Sequence, residues 1–338
     1  MGSHRRLVPT SGFNRGAGTA LCVLSAATAA LGAVPADAAP RTDTKTEVDR
    51  LYAEAEKATQ AYDKADETAA TLRRELGQAQ DGIARQQQRV NTMRDALGSL
   101  AGAQYRSGGI DPTVALLFSD DPADYLDKAS TLDRISVHQA GQLRELRSAL
   151  RELAQERAEA AGKLADLEKS RTAVAAHKKT VEQKLAKARQ LLTSLPFGQR
   201  AAYDRASRSG RDDVPGLSGV VPPDARAAAA IAAARSALGR PYVWGANGPS
   251  GFDCSGLMQW SYAHAGVHLP RTSQEQRFAG RQVPLSQAQP GDLVVYRSDA
   301  SHVAMYVGNG QVIHAPYPGA PVRYDRVNMM PVSSVTRV

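Results

Sequence analysis

Cys254 is the residue from which chemistry can be argued. It follows a turn rich in Gly, Pro and Asn (Gly245-Ala246-Asn247-Gly248-Pro249-Ser250-Gly251) and opens a segment, Cys254–Ala265, with the composition of a helix. Backbone N–H groups at a helix start lack intrahelical partners, and with the helix dipole they favour an anion there. A thiol so placed is expected to ionise more readily, and the thiolate is the nucleophilic form. Two histidines follow at the spacing of neighbouring strands. His302 begins the apolar run Val303–Val307, Gly308-Asn309-Gly310 makes a hairpin turn, and His314 ends the next run, Gln311–Ala315. The two imidazoles are therefore expected to meet. A Cys–His pair needs a third group to hold the imidazole, and a second histidine can do this by accepting a ring N–H. The alternatives are a buried structural cysteine with two satisfied histidines, or a zinc site of Cys254, His302 and His314. The latter lacks the close ligand pairs usual in structural zinc sites. His264 and His268 are spaced i, i+4, but no Glu follows the first, so the metalloprotease pattern is absent.

The surrounding elements have to position these groups. Asp224 is expected to cap a helix, Ala225–Leu238, ending at Gly239 before Pro241. A short polar helix is expected near Gln274–Ala279, and strands at Leu293–Tyr296, Val303–Val307, Gln311–Ala315 and near Val322–Tyr324. Helices first and a strand meander after them make residues 225–338 an α+β domain.

Upstream, apolar residues recur every three or four positions from Val48 to Leu100, and again from Leu143 to Leu195. Such a period, sustained over so many turns, predicts a coiled coil. Ser107-Gly108-Gly109-Ile110-Asp111-Pro112 breaks the series, short helices are expected at Thr113–Phe118 and Pro122–Ala129, and the two runs are expected to fold back as an antiparallel hairpin with arms roughly 80–90 Å long. The apolar tip Val114–Phe118 is the expected docking point for a partner. The domain plan is thus a signal peptide over 1–38, a coiled-coil hairpin over 39–195, a Pro/Gly/Ser-punctuated linker over 196–224 and a catalytic domain over 225–338. The leader reading rests on Arg5, Arg6 and Arg15, an apolar core from Ala17 to Val34, and Ala36-Asp37-Ala38 as a cleavage site. Residues flanking Arg5-Arg6 match the twin-arginine pattern poorly. Export would leave Cys254 as the single thiol of the mature chain, located in the extracellular space or cell wall.

The chain has 42 basic and 34 acidic residues, a net charge of +8. Residues 225–338 have ten Arg, no Lys and five acidic residues, which suits an anionic partner. Nucleic acid is not expected, because basic and aromatic residues are not interleaved on any face.

Residues 225–338 resemble the NlpC family of papain-like cell-wall cysteine peptidases. The resemblance is carried by Arg240–Gly245, Phe252-Asp253-Cys254-Ser255-Gly256-Leu257, Leu269-Pro270-Arg271-Thr272-Ser273, Pro290–Leu293, Ser301–Gly308 and Val312–Ala315. It implies Cys254 as nucleophile, His302 as base and His314 as the orienting residue, with no cofactor or metal. It places Tyr242 by the thiolate and Asp253, Ser255 and Ser273 in the substrate pocket. Cleft arginines, Arg271 among them, would meet substrate carboxylates, and Asp253 a substrate amino group. The implied reaction is cleavage of the γ-D-glutamyl–diamino-acid bond of peptidoglycan stem peptides. The hairpin is similar to coiled coils that restrain such domains, which implies a membrane-bound division or cell-wall regulator as partner. The other reading is a wall-associated coiled-coil adaptor with a silent peptidase-like head.

Overall fold

The computed structural model describes residues 44–106, 122–198, 200–201 and 221–338, all within one compact unit. Two long helices lead: α1 (Thr44–Arg106) and α2 (Pro122–Ser194). At 1.5 Å per residue, 63 and 73 residues give lengths of about 95 and 110 Å. They run antiparallel, as the pairs Lys184–Glu54, Lys163–Glu75 and Arg89–Glu145 show. The expected short helix Pro122–Ala129 is instead the first part of α2, because no Gly or Pro interrupts the chain between it and the later heptads until Gly141, which the helix absorbs. Residues 107–121, with the expected break, the short helix Thr113–Phe118 and the apolar tip, and residues 202–220 of the linker lie outside the described residues, as does the leader.

Among the described residues, the hairpin seam has two buried clusters. Near its base Val48, Leu51, Tyr52, Ala55 and Ala58 of α1 meet Val181, Leu185 and Ala188 of α2. Further out, Val90 meets Ala149 and Leu153.

The C-terminal domain begins with α3 (Ala225–Ser236), whose Asp224 cap accepts from the Ala227 N–H at 2.8 Å. Then come α4 (Cys254–His264), the single-turn α5 (Ser273–Gln276) and six strands: β1 (Arg281–Val283), β2 (Leu293–Tyr296), β3 (His302–Gly308), β4 (Gln311–His314), β5 (Arg323–Arg326) and β6 (Val332–Arg337). The sheet is antiparallel in the order β1-β6-β2-β3-β4-β5. The expected strands have no counterpart to β1 and β6, because Arg281–Val283 is three residues long and Val332-Ser333-Ser334-Val335-Thr336-Arg337 is mostly polar.

Every residue of β2 is buried, since both faces of the sheet are covered. Leu293, Val295, Val303, Met305 and Ile313 pack with Leu257, Met258 and Tyr262 of α4 in the main core. Val294, Tyr296, Ala304 and Val312 form a second cluster with Val283 and Val335. Each such side chain contributes about 1.5–3 kcal/mol by leaving water. The outcome for the site is a rigid contact between the start of α4 and the strands that bear the two histidines.

Candidate active site

α4 starts where it does because Asp253 caps it. The Asp253 side chain accepts from the Gly256 N–H at 2.7 Å, and Arg271 donates to both of its oxygens, at 3.1 and 2.5 Å. Gly256 fits tightly in this first turn: a Cβ there would come within 2.2 Å of the Ala246 carbonyl oxygen. Cys254 is thereby fixed as the first helical residue, with its sulfur 4.0 Å from the Ser301 carbonyl.

β3 and β4 bring His302 and His314 edge to face, with Nε2 of His302 2.8 Å from Nδ1 of His314. On its far side, Nε2 of His314 is 2.8 Å from an Asp325 oxygen, which also accepts from Nε of Arg323 at 2.8 Å. Burial holds the pKa of His314 down to about 4, so its ring is neutral near neutral pH. Asp325 can only accept, which puts the His314 proton on Nε2 and leaves Nδ1 to accept from the Nε2–H of His302. The nitrogen of His302 left for chemistry is then Nδ1. Asp325, on β5, extends the expected trio by one member; a lone Asp in Arg-Tyr-Asp-Arg offered no signal of this in the sequence.

The remaining side of the site is closed by α1. Its residues Glu56, Gln60 and Asp63, spaced i, i+4, i+7 and so on one helical face, reach into the cleft. Glu56 accepts a hydrogen bond from Nδ1 of His302 through one oxygen and from Nη1 of Arg297, at 2.5 Å, through the other. Gln60 places its amide nitrogen 3.6 Å from the Cys254 sulfur and 3.2 Å from the Ser255 hydroxyl. The Gln60 oxygen accepts from the backbone N–H of Ser273 at 2.7 Å and from its hydroxyl at 3.0 Å. Asp63 pairs with Arg271 at 3.0 Å. Around this face Tyr62 packs edge-on against Trp244, and Tyr52 stacks on Tyr317. The charge of Glu56 and the apolar residues beside it read as an ordinary coiled-coil face in the sequence; only the docked helix gives them a role.

Each expected site residue is at the cleft. Cys254, His302, His314, Ser255 and Ser273 are almost wholly buried, and the Glu56 carboxylate, the thiol and a ring nitrogen of His302 lie within 4.8 Å of one another. Tyr242 is buried beside them, and burial, with the Glu56 carboxylate and the thiol next in effect, pushes its hydroxyl pKa up. Two expectations change. The thiol is not easily ionised here: burial raises its pKa well above the ordinary value, and the carboxylates of Glu56 and Asp253 raise it further. This outweighs the helix terminus, whose share is a fraction of a charge. Nor are Asp253 and Arg271 open to substrate. They are engaged with each other as the cap of α4, and Arg271 also holds Asp63.

The carboxyls of α1 are themselves perturbed in opposite directions. Burial opposes ionisation of Glu56, but His302 and Arg297 together bring its pKa down to about 2. Asp63 is raised to about 9 by burial and by the Asp253 carboxylate, because the Arg271 charge that would offset them is shared with Asp253. One Asp63 oxygen, Oδ2, has no hydrogen-bond partner.

Residues 239–337 match the model of the NlpC/P60 family. A probable endopeptidase of Corynebacterium glutamicum (strain R) is 44% identical over 126 residues, which is 37% of this chain and 60% of that protein. A probable endopeptidase of Mycobacterium tuberculosis is 45% identical over 112 residues, 32% of this chain and 29% of that one. The P60 domain of a Mycobacterium avium subspecies paratuberculosis antigen is 38% identical in its crystal structure, covering 33% of this chain and 93% of that one, with a TM-score of 0.32. The chain thus spans less than two thirds of the length of these curated relatives. From the match to the family model and the motifs that surround Cys254, His302 and His314, the C-terminal region of this chain is an NlpC/P60 domain.

Proposed function

We propose that the chain is an exported peptidoglycan hydrolase, a thiol D,L-endopeptidase that its own α1 holds shut. The observation that carries the reading is the cluster Cys254–His302–His314–Asp325, in which a ring nitrogen of His302 lies within 4.8 Å of the sulfur and Nδ1 of the same ring is bonded to Glu56. With α1 withdrawn, Nδ1 of His302 takes the Cys254 proton and the thiolate attacks the carbonyl of the γ-D-glutamyl–diamino-acid bond. The carbonyl oxygen, as it becomes an oxyanion, is met by backbone N–H groups at the start of α4. His302 then protonates the leaving amine, and water releases the acyl-enzyme through the same base. His314 and Asp325 keep the imidazole in the required tautomer.

In the docked state this chemistry is stopped three ways. Glu56 takes the base, its charge disfavours the thiolate, and Gln60 presents a carboxamide where the substrate amide would lie. The domain boundaries, the leader and a membrane-bound regulator that withdraws the arm complete the proposal. A closed cleft would also suit an adaptor with a silent head, so the test must open it. The double substitution Glu56→Arg/Asp63→Arg sets cations against Arg297 and Arg271 and should displace α1. The opened chain is expected to release muropeptides from purified sacculi much faster than the parent, and Cys254→Ala in that background to release none. Equal release with and without the thiol would refute the hydrolase reading, and an opened but inert chain would favour the adaptor.

A further inference from the structure

The arm also reports what the cleft is built to hold, and the residue it singles out is Arg297. Two observations set Arg297 apart. Its backbone has φ of 64°, a region that long side chains adopt only when their surroundings require it. It also follows directly on a register shift between β2 and β6 at Val295/Tyr296, the kind of irregularity that re-aims a side chain. The backbone is anchored by its N–H on the Pro331 carbonyl at 2.9 Å, and the guanidinium is steered by the Ser301 hydroxyl at 3.1 Å. Among the described residues, the carboxylate hydrogen-bonded to this guanidinium is that of Glu56, which leaves with α1. Arg271 keeps Asp253 when α1 departs; Arg297 keeps a hydroxyl and the charge of Asp299 nearby.

The position of the Glu56 carboxylate defines the ligand. One oxygen sits on Nδ1 of His302 and the other on Arg297, so the guanidinium and the reactive ring nitrogen are one carboxylate width apart. The nitrogen that delivers a proton to the leaving amine must approach that amine within hydrogen-bond distance. A carboxylate carried on the carbon next to the amine then reaches Arg297. We propose that Arg297 is the receptor for a free carboxylate on the amine side of the scissile bond, so that the enzyme prefers a leaving amino acid whose α-carboxyl is uncapped. Glu56 is a stand-in for that group. The inference rests on the hydrolase reading and deepens it.

The test uses the full chain opened by Glu56→Arg/Asp63→Arg, with opening verified by alkylation of Cys254. Two synthetic peptides are compared, each with a γ-glutamyl bond to a diamino acid, one with the carboxyl next to the scissile nitrogen free and the other with it amidated. A charge-assisted hydrogen bond gained by the free acid predicts kcat/KM about ten- to a hundredfold higher for it. Arg297→Gln should erase that preference by slowing the free acid alone, with the amide within about twofold. Arg297→Lys should retain part of it, which a merely structural arginine would not predict. Equal cleavage of both peptides by the opened chain, or a loss in Arg297→Gln that is the same for both, would overturn the assignment while leaving the hydrolase reading intact. Cleavage of neither peptide would overturn both.

Discussion

At the scale of single residues, the site is decided by where the two α1 carboxyls, Glu56 and Asp63, sit. Glu56 is ionised in the docked state and acts on both the His302 ring and the Cys254 thiol. Glu56→Gln keeps the shape and removes the charge, and is expected to speed alkylation of Cys254 by iodoacetamide at pH 7.5 by about tenfold, the factor that corresponds to roughly 1.4 kcal/mol. An unchanged rate would show that burial alone protects the sulfur. Asp63 behaves oppositely. Its docked pKa is raised to about 9 from 3.8, so the docked state binds a proton that the free arm releases. Docking is therefore undiminished by this group below pH ~4, weakens as pH rises from there, and levels off above about 9. Glu56, lowered to about 2 from 4.5, supports docking above pH ~4.5 and loses that support only as pH falls through about 2, so it adds no slope in the neutral range. Asp63→Asn mimics the protonated form. The ratio of parent to Asp63→Asn alkylation rates, in which the ionisation of the thiol cancels, should climb between pH 6 and 9; a flat ratio would show that Asp63 is ionised when docked.

At the scale of elements, α4 is the piece that cannot shift. Its first turn is wedged between the Asp253 cap and the 246–247 backbone, with no room for a methyl group at Gly256. Gly256→Ala is expected to lower stability by about 1–3 kcal/mol, seen as a reduced Tm, and to impair catalysis through displacement of Cys254. A variant of full stability and activity would mean the loop at Ala246 yields freely. α1 is held differently, by buried polar pairs and by the aromatic contacts Tyr62–Trp244 and Tyr52–Tyr317. The exposed pairs Lys57–Asp299 and Lys64–Glu275, at 3.6 and 3.7 Å, should add little to docking, as solvated ion pairs do. Replacing either lysine by Ala is expected to change the alkylation rate by less than about threefold.

At the scale of the whole molecule, the hairpin base links the arm to the site. Val181 and Leu185 of α2 pack on Val48, Leu51 and Tyr52 of α1, one to three turns from Glu56. Leu185→Ala removes packing worth about 2–5 kcal/mol. It is expected to loosen α1 and accelerate both alkylation and sacculus digestion, although the substitution is remote from the chemistry. If neither changes, α1 is held by its cleft contacts alone. A pull or twist on the hairpin would act through the same contacts, which is how a partner bound elsewhere on the arm could govern the site.

The sequence alone pointed to Cys254 at the start of a helix, to two histidines on neighbouring strands and to the antiparallel arm, because each is written in local pattern: a turn followed by a helix, two strands joined by Gly308-Asn309-Gly310, and a heptad period. It did not determine β1, β6 or Asp325, whose short polar segments gain meaning only from their neighbours in the sheet. Above all it could not place Glu56, Gln60 and Asp63. A helical period fixes which residues share a face, but not which surface that face will meet; contacts between residues some two hundred positions apart belong to tertiary packing. That packing turned an expected reactive thiolate into a covered thiol, since burial, together with the Glu56 carboxylate that α1 brings and the Asp253 carboxylate beside it, outweighs the pull of one helix terminus.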